Sequence, residues 1–333
     1  MADLPRRTIS QDDSLPFVEP PNAAFLVQLF LVPGVIVAII VAVWLSFHWL
    51  AHLGSDPQAY VRTLRRDNEG RWQAALNLAN DLRGPGGKAL KSDEQLATEL
   101  GRILTDEAKS GRTGEQSQTL RLYLCRALGE FAIPVAAGPL IDQARGLADP
   151  QTARAAVEAL AVLTTNLLAA GRSFDDAAAV TDAVIAASRS DDAQLRSRAA
   201  FTLGVVGGPA AVERLVELAN DPADDVRSNV ALALARQGRD EAVEGLAEML
   251  TLPDVEAGVT SAADLAAQSR RYKRALVVVN ALRGLALLVD ATHQPPPGAI
   301  LDRVRQLTQD PVGDVRTSAT ELLKKIERLD ASK

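Results

Sequence analysis

Apolar and polar positions follow two different rhythms along this chain. From Phe25 to Trp49 the run FLVQLFLVPGVIVAIIVAVWLSFHW holds no Asp, Glu, Lys or Arg over 25 residues. A bilayer core takes roughly 20 helical residues at about 1.5 Å each, so this run is long enough to cross one. Its polar members, Gln28, Ser46 and His48, lie near the ends, and Trp44 and Trp49 sit where interfacial indoles are expected. Pro33-Gly34 marks a kink that membrane helices tolerate. A cleaved signal peptide would carry a shorter apolar core of about 7–15 residues closed by a small-x-small site, and WLAHLGSDP offers none. The segment 24–52 is therefore expected to be a single transmembrane helix, in contact with the lipid bilayer through Phe25 to Trp49. The tail 1–23 mixes charges with Pro5, Pro16, Pro20 and Pro21, cannot bury a core, and is expected to be disordered. Arg6 and Arg7 precede the span while Arg62, Arg65 and Arg66 follow it, a margin of one that leans the C-terminal region toward the cytoplasm.

Beyond the span the rhythm becomes helical and repetitive. DPADDVRSNVALALARQG (221–238) and DPVGDVRTSATELLKKI (310–326) both open D-P-x-x-D-V-R. SDDAQLRSRAAFTLGVVGG (190–208) departs by small substitutions, and DPQTARAAVEALAVL (149–163) is one residue shorter between Pro and Arg. With the Arg as a fixed point, a Leu follows seven residues later at Arg71/Leu78, Arg121/Leu128, Arg196/Leu203, Arg227/Leu234 and Arg316/Leu323. Four residues after the same Arg stand Ala75, Cys125, Ala200, Ala231 and Thr320, so small and large groups share one helical face. A weaker copy starts near Arg274. Each copy leads into a second amphipathic helix, with Val212, Leu215, Val216 and Ala219 on one stripe and Val243, Leu246, Ala247 and Leu250 on the next. Gly207-Gly208-Pro209 and Gly238 supply the turns between them, and the D-P pair caps and starts the following unit.

Two-helix units in series define a helical solenoid. From roughly Asp67 to Leu329 this pattern resembles the HEAT-repeat family, in particular its short bacterial, PBS-lyase-type form, and most closely at 190–250 and 310–329. The resemblance implies an all-α fold at 56–330: a right-handed α-solenoid of about six helical pairs plus a capping helix. It also implies an inter-repeat polar ladder of Asp221, Arg227, Asp310 and Arg316, joined by Asp191 and Arg196 in the copy where Ser190 replaces Asp. In the first copy Arg65 stands where the Asp belongs. The family further implies that the V-R helices line a concave face that binds protein.

Composition narrows the chemistry. Apolar residues make up 47% but aromatics only 4%, a mixture that favours close-packed helices over sheets. The net charge of −6, without a basic stripe, argues against a nucleic-acid partner. The lone Cys125 excludes an internal disulfide. Of His48, His52 and His293 none is followed by Glu, which removes the His-Glu pairs of the di-metal hydroxylases built on this scaffold. His48 and His52, four apart, read as the wet end of the anchor rather than as metal or haem ligands. GPGGKAL (84–90) lacks phosphate-loop spacing, and Asp191-Asp192 and Asp224-Asp225 fall where helix caps are expected.

No catalytic, metal or cofactor-binding residue set emerges, and no residues mark a bilin lyase. The expected role is a membrane-anchored scaffold or adaptor, without enzyme activity or cofactor. It would bind a protein partner through exposed positions of the V-R helices such as Arg198, Asn229 and Arg236, with the insertions 84–92 and 253–268 as a rival site. The alternative is an accessory subunit of a larger membrane complex, for example a transporter, that associates through its transmembrane helix.

Overall fold

The computed structural model describes residues 23–52, 57–66, 68, 70–252 and 262–331; the N-terminal tail 1–22 lies outside them. The chain divides into two compact units, 1–55 and 56–333.

The first unit is one helix, α1 (Ala23–His52), 30 residues that run through Pro33 without interruption. At about 1.5 Å per residue it extends roughly 45 Å. Every side chain described in it, at 27, 29 and 31–46, is exposed. The Ser46 hydroxyl donates to the Ala42 carbonyl at 2.7 Å, which satisfies it within its own helix.

The second unit is helical, with no strand among the described residues. In chain order it comprises α2 (Pro57–Arg65), α3 (Arg71–Arg83), α4 (Glu94–Lys109), α5 (Glu115–Gly129), α6 (Ala137–Arg145), α7 (Pro150–Ala169) and α8 (Ala177–Ala187). Then come α9 (Ala193–Val206), α10 (Pro209–Leu218), α11 (Asp224–Arg236), α12 (Ala242–Leu250), α13 (Ala262–Thr292), α14 (Gly298–Leu307) and α15 (Gly313–Ala331). From α3 to α15 each odd-numbered helix packs on the next odd one, and α2, α4, α6, α8 and α10 stack into a second row. Each V-R helix is thus an odd-row member, and its even partner covers it.

The spacing of small and large residues explains the odd row. Cys125, Ala200 and Ala231, and the seventh-position Leu128, Leu203 and Leu234, are all buried. Close approach is needed at their C-terminal turns. A Cβ on Gly129 would stand 2.9 Å from the Ala159 Cα, and one on Gly204 would stand 2.5 Å from the Ala233 Cβ. The last copy departs from the pattern: Thr320 is exposed and Leu323 half-buried, while Ala319 and Leu322 are buried. The helices that α15 packs on most are α13 and α14.

Three features depart from the sequence reading. α2 precedes the first V-R helix and packs on α3 and α4. The insertion 84–92 forms two 3-10 turns, Pro85–Lys88 and Leu90–Ser92. The insertion 253–268 is helical from Ala262, the start of a 31-residue α13, while 253–261 lies outside the described residues. Within α13, Ala267–Thr292 is long and apolar enough to cross a membrane, but half of its most apolar window is buried inside the second unit, as in a core helix.

Candidate functional site

Arginines on the odd helices build a ladder. Arg196 sends Nη1 to the carbonyls of Ser190 and Asp191, both at 3.0 Å, and so ties down its own approach turn. Its Nε and Nη2 donate to the two carboxylate oxygens of Asp221 at 2.7 and 2.9 Å. Asp221 opens the following unit, so one guanidinium fastens two units together. Arg121 repeats this with Nε and Nη2 on Asp149 at 3.2 and 2.9 Å. Arg274 repeats it with Nη1 on Asp310 at 2.8 Å, and Arg71 with Nη1 on Glu107 at 2.9 Å.

Of the ladder residues read from sequence, Arg196 and Asp221 pair with each other across copies, and Asp310 pairs with Arg274. Arg227 donates to the backbone carbonyl of Asp221 at 3.0 Å, not to its carboxylate, and takes Glu248 at 2.7 Å and Asp224 at 2.9 Å as acids. Arg316 donates to the carbonyls of Asp310 and Pro311 at 2.7 and 3.1 Å. Asp192 rather than Asp191 carries the carboxylate role in its copy: it accepts from the Gln194 and Leu195 amides and faces Arg154 at 3.4 Å. Glu107 stands where no D-P motif exists, so a motif search passes over it.

The pairs show in the electrostatics. The Arg196 guanidinium holds the Asp221 carboxyl below the usual range. Burial pushes the Asp149 carboxyl up, but hydrogen bonds from Thr152 and the Arg121 charge outweigh it and leave the group below its ordinary value. Burial pushes the Cys125 thiol well above its ordinary value, which keeps it protonated and inert.

Several of the positions two, five and nine residues after the ladder Arg lie at the surface of the odd row, while Glu130 and Val279 at such offsets are buried. Arg198 is exposed and pairs with Glu158 of α7 at 2.6 Å. Asn229 is half-buried and its amide donates to the Ser197 hydroxyl at 2.7 Å, so it links α11 to α9 rather than facing solvent freely. Arg236 lies over the Phe201 ring, 5.5 Å from its centroid. Farther up the row Trp72 stacks on Tyr123 with centroids 6.2 Å apart, and Arg126 covers the Tyr123 ring at 5.4 Å.

At the other end Tyr272, Leu276 and Arg283 of α13 line a cavity of about 560 Å³ whose far wall holds Thr317 and Glu321 of α15. Tyr272 is 70% exposed, Leu276 49% and Phe201 41%. The sequence reading did not select these aromatic and aliphatic groups; projecting each copy at the same offsets from its Arg would have found Tyr123, Phe201 and Leu276. Among the described residues no group of three His, Cys, Asp or Glu side chains is placed to hold a metal.

Residues 181–267, which span α9 to α12 with parts of α8 and α13, match the family model for HEAT repeats. No curated protein matches the chain. Among solved structures, two engineered proteins are similar. One is 19% identical with a TM-score of 0.37 and covers 83% of this chain and 98% of its own. The other is 22% identical with a TM-score of 0.41 and covers 82% and 68%. Human deoxyhypusine hydroxylase in complex with glycerol is also similar, at 20% identity and a TM-score of 0.32 over 82% of this chain and 96% of its own.

Proposed function

We propose that this protein is a membrane-anchored, non-catalytic scaffold whose odd-row face binds a protein partner. HEAT-like repeats generally mediate protein–protein interaction, and residues 181–267 match that family. The observation that carries the reading is where the few aromatics go. The chain has only 4% aromatic residues, yet Trp72, Tyr123, Phe201 and Tyr272 all sit on odd helices with part of their surface in solvent, two of them under Arg guanidinia. Aromatic and Arg groups are the types enriched at the energetic centres of interfaces. Affinity purification of the full chain from gently solubilised membranes is the test. A specific partner should co-purify and be lost from Phe201→Ala/Tyr272→Ala; recovery of the chain alone would defeat the proposal.

The anchor is part of the same proposal. α1 is charge-free from Phe25 to Trp49, and its described side chains are all exposed, a surface that water penalises and lipid does not. Deleting 25–49 should move the chain out of the carbonate-washed membrane fraction. The charge margin across the span favours a cytoplasmic solenoid, which protease protection of sealed vesicles checks. The same exposed apolar helix supports a second reading, association through α1 itself. Replacing Phe25–Trp49 with an unrelated apolar span separates them: a tether keeps its partner, whereas a packing helix loses it.

A further inference from the structure

The polarity of the odd-row face suggests what the partner looks like, an inference that rests on the scaffold reading above. The chain as a whole carries −6, and Arg196 and Arg274 of its ladder are taken up by acids. Along the odd row from α7 to α13 some exposed charges are paired and others are not. Glu158 is neutralised by Arg198 and Asp290 by Lys325. Arg236 and Arg283, nine residues after their ladder arginines on adjacent helices, take part in no ion pair among the described residues. Arg236 keeps its guanidinium over the Phe201 ring, an arrangement that leaves the N–H edge free for an acceptor.

The same helices carry apolar groups close to these cations: Phe201 under Arg236, half-buried Leu232 near Gly284 beside Arg283, and exposed Leu276, which lines one cavity with Arg283. That cavity, of about 560 Å³, lies between α13 and α15. Asp314 and Glu321 line that cavity from α15, so it is basic on the α13 side and acidic on the α15 side. An acidic ligand is therefore steered toward α11 and α13 and away from α15.

We propose that this face takes a segment of a protein partner in which carboxylates flank apolar side chains. The apolar groups rest on Phe201, Leu232 and Leu276, and the carboxylates accept from Arg236 and Arg283. Arginine forks suit carboxylates, and the stacked guanidinium of Arg236 is held ready for one.

The test uses the full chain in nanodiscs of zwitterionic lipid and three synthetic peptides read by fluorescence anisotropy: an amphipathic Leu/Glu peptide, its Leu/Lys counterpart, and a Ser/Glu peptide. The Leu/Glu peptide should bind roughly tenfold or more tighter than either of the others, and more weakly as salt rises. Arg236→Gln/Arg283→Gln should weaken it roughly tenfold, while Arg145→Gln, an exposed charge on the even row, should leave it unchanged. Equal binding of Leu/Lys or Ser/Glu, or a double variant within about twofold of the parent, would overturn the proposal. So would displacement of the peptide by anionic-lipid nanodiscs through the same two arginines, which would assign the face to a membrane surface. The partner purification keeps the two readings apart. A partner retained by the double variant refutes the acidic-segment inference and spares the scaffold; a chain recovered alone refutes the scaffold itself.

Discussion

Removing the Asp221 carboxylate tests whether the ladder holds adjacent units together. In the parent, Asp221 is buried and accepts two charge-assisted bonds from Arg196, at 2.7 and 2.9 Å, plus the Ala223 amide at 2.9 Å. Asp221→Ala leaves the Arg196 guanidinium with the Ser190 and Asp191 carbonyls only, in a place largely closed to water. Breaking one partner of a buried pair costs about 3–5 kcal/mol, because the stranded charge keeps its desolvation penalty. Losing the acceptor of the Ala223 amide adds about 1 kcal/mol at most. The Arg196 side chain is 15% exposed, so partial rehydration pulls the sum back to about 3 kcal/mol. The matched comparison is Glu248→Gln, which removes an acid from Arg227 where Glu248 is 57% exposed and about 0–1 kcal/mol is at stake.

A solenoid opens locally, so a single melting point understates the effect and hydrogen exchange is the better assay. Amides of α9 and α11 should exchange about a hundredfold faster in Asp221→Ala, the ratio that about 3 kcal/mol implies, with α3 to α5 unaffected. A change no larger than that of Glu248→Gln would show that the ladder is ornamental and that apolar packing alone joins the units.

Two further expectations concern packing and pH. Gly204→Val would drive a side chain into Ala233 and should cost about 1–3 kcal/mol by thermal denaturation, whereas Gly138→Ala, with open space around it, should cost nothing. The acids that the ladder and α4 hold below their ordinary range should make the second unit acid-sensitive. Arg102 and then Arg65 pull the Glu99 carboxyl down to about 2, and Arg196 lowers Asp221. A depressed folded-state pKa stabilises above the unfolded value and is lost as pH falls through the folded one. Stability should thus be flat above about pH 5 and fall between about pH 4 and 2. Asp221→Asn should flatten that fall in a pH series of melts; an unchanged slope would refute the assignment.

Much of the fold could be read from the sequence because repetition averages out local ambiguity. The repeat openings place α9, α11 and α15, and the small and large positions four and seven residues after the Arg place the buried faces of α9 and α11, where Ala200, Leu203, Ala231 and Leu234 are all buried. What escaped was whatever repetition does not encode. α2 belongs to no motif copy, and α13 is about twice the length of its neighbours, so 262–268 looked like an insertion. The ladder residues could be named but not their partners, since periodicity within one chain says nothing about which copy supplies the carboxylate. Asn229 looked exposed because its offset points outward, yet Ser197 of the preceding helix meets its amide. The candidate surface was half legible: its charges drew attention, whereas Phe201, Leu276 and Tyr272 were passed over as ordinary apolar positions.

The arginine bridge has a consequence for how such a chain can change. The residue span between bridge partners is 25 for Arg196 and Asp221, 28 for Arg121 and Asp149, and 36 for both Arg71 with Glu107 and Arg274 with Asp310. The clasp thus tolerates different chain lengths between the arginine and its acid. A gene encoding this protein can lengthen a connection, as before α13, without displacing the unit beyond it, provided the clasp still closes. Copying or excising a whole unit leaves an arginine facing an acid at the new junction. Growth by duplication is thus mechanically cheap here, while a single charge reversal at a clasp would set two like charges against each other at that one junction.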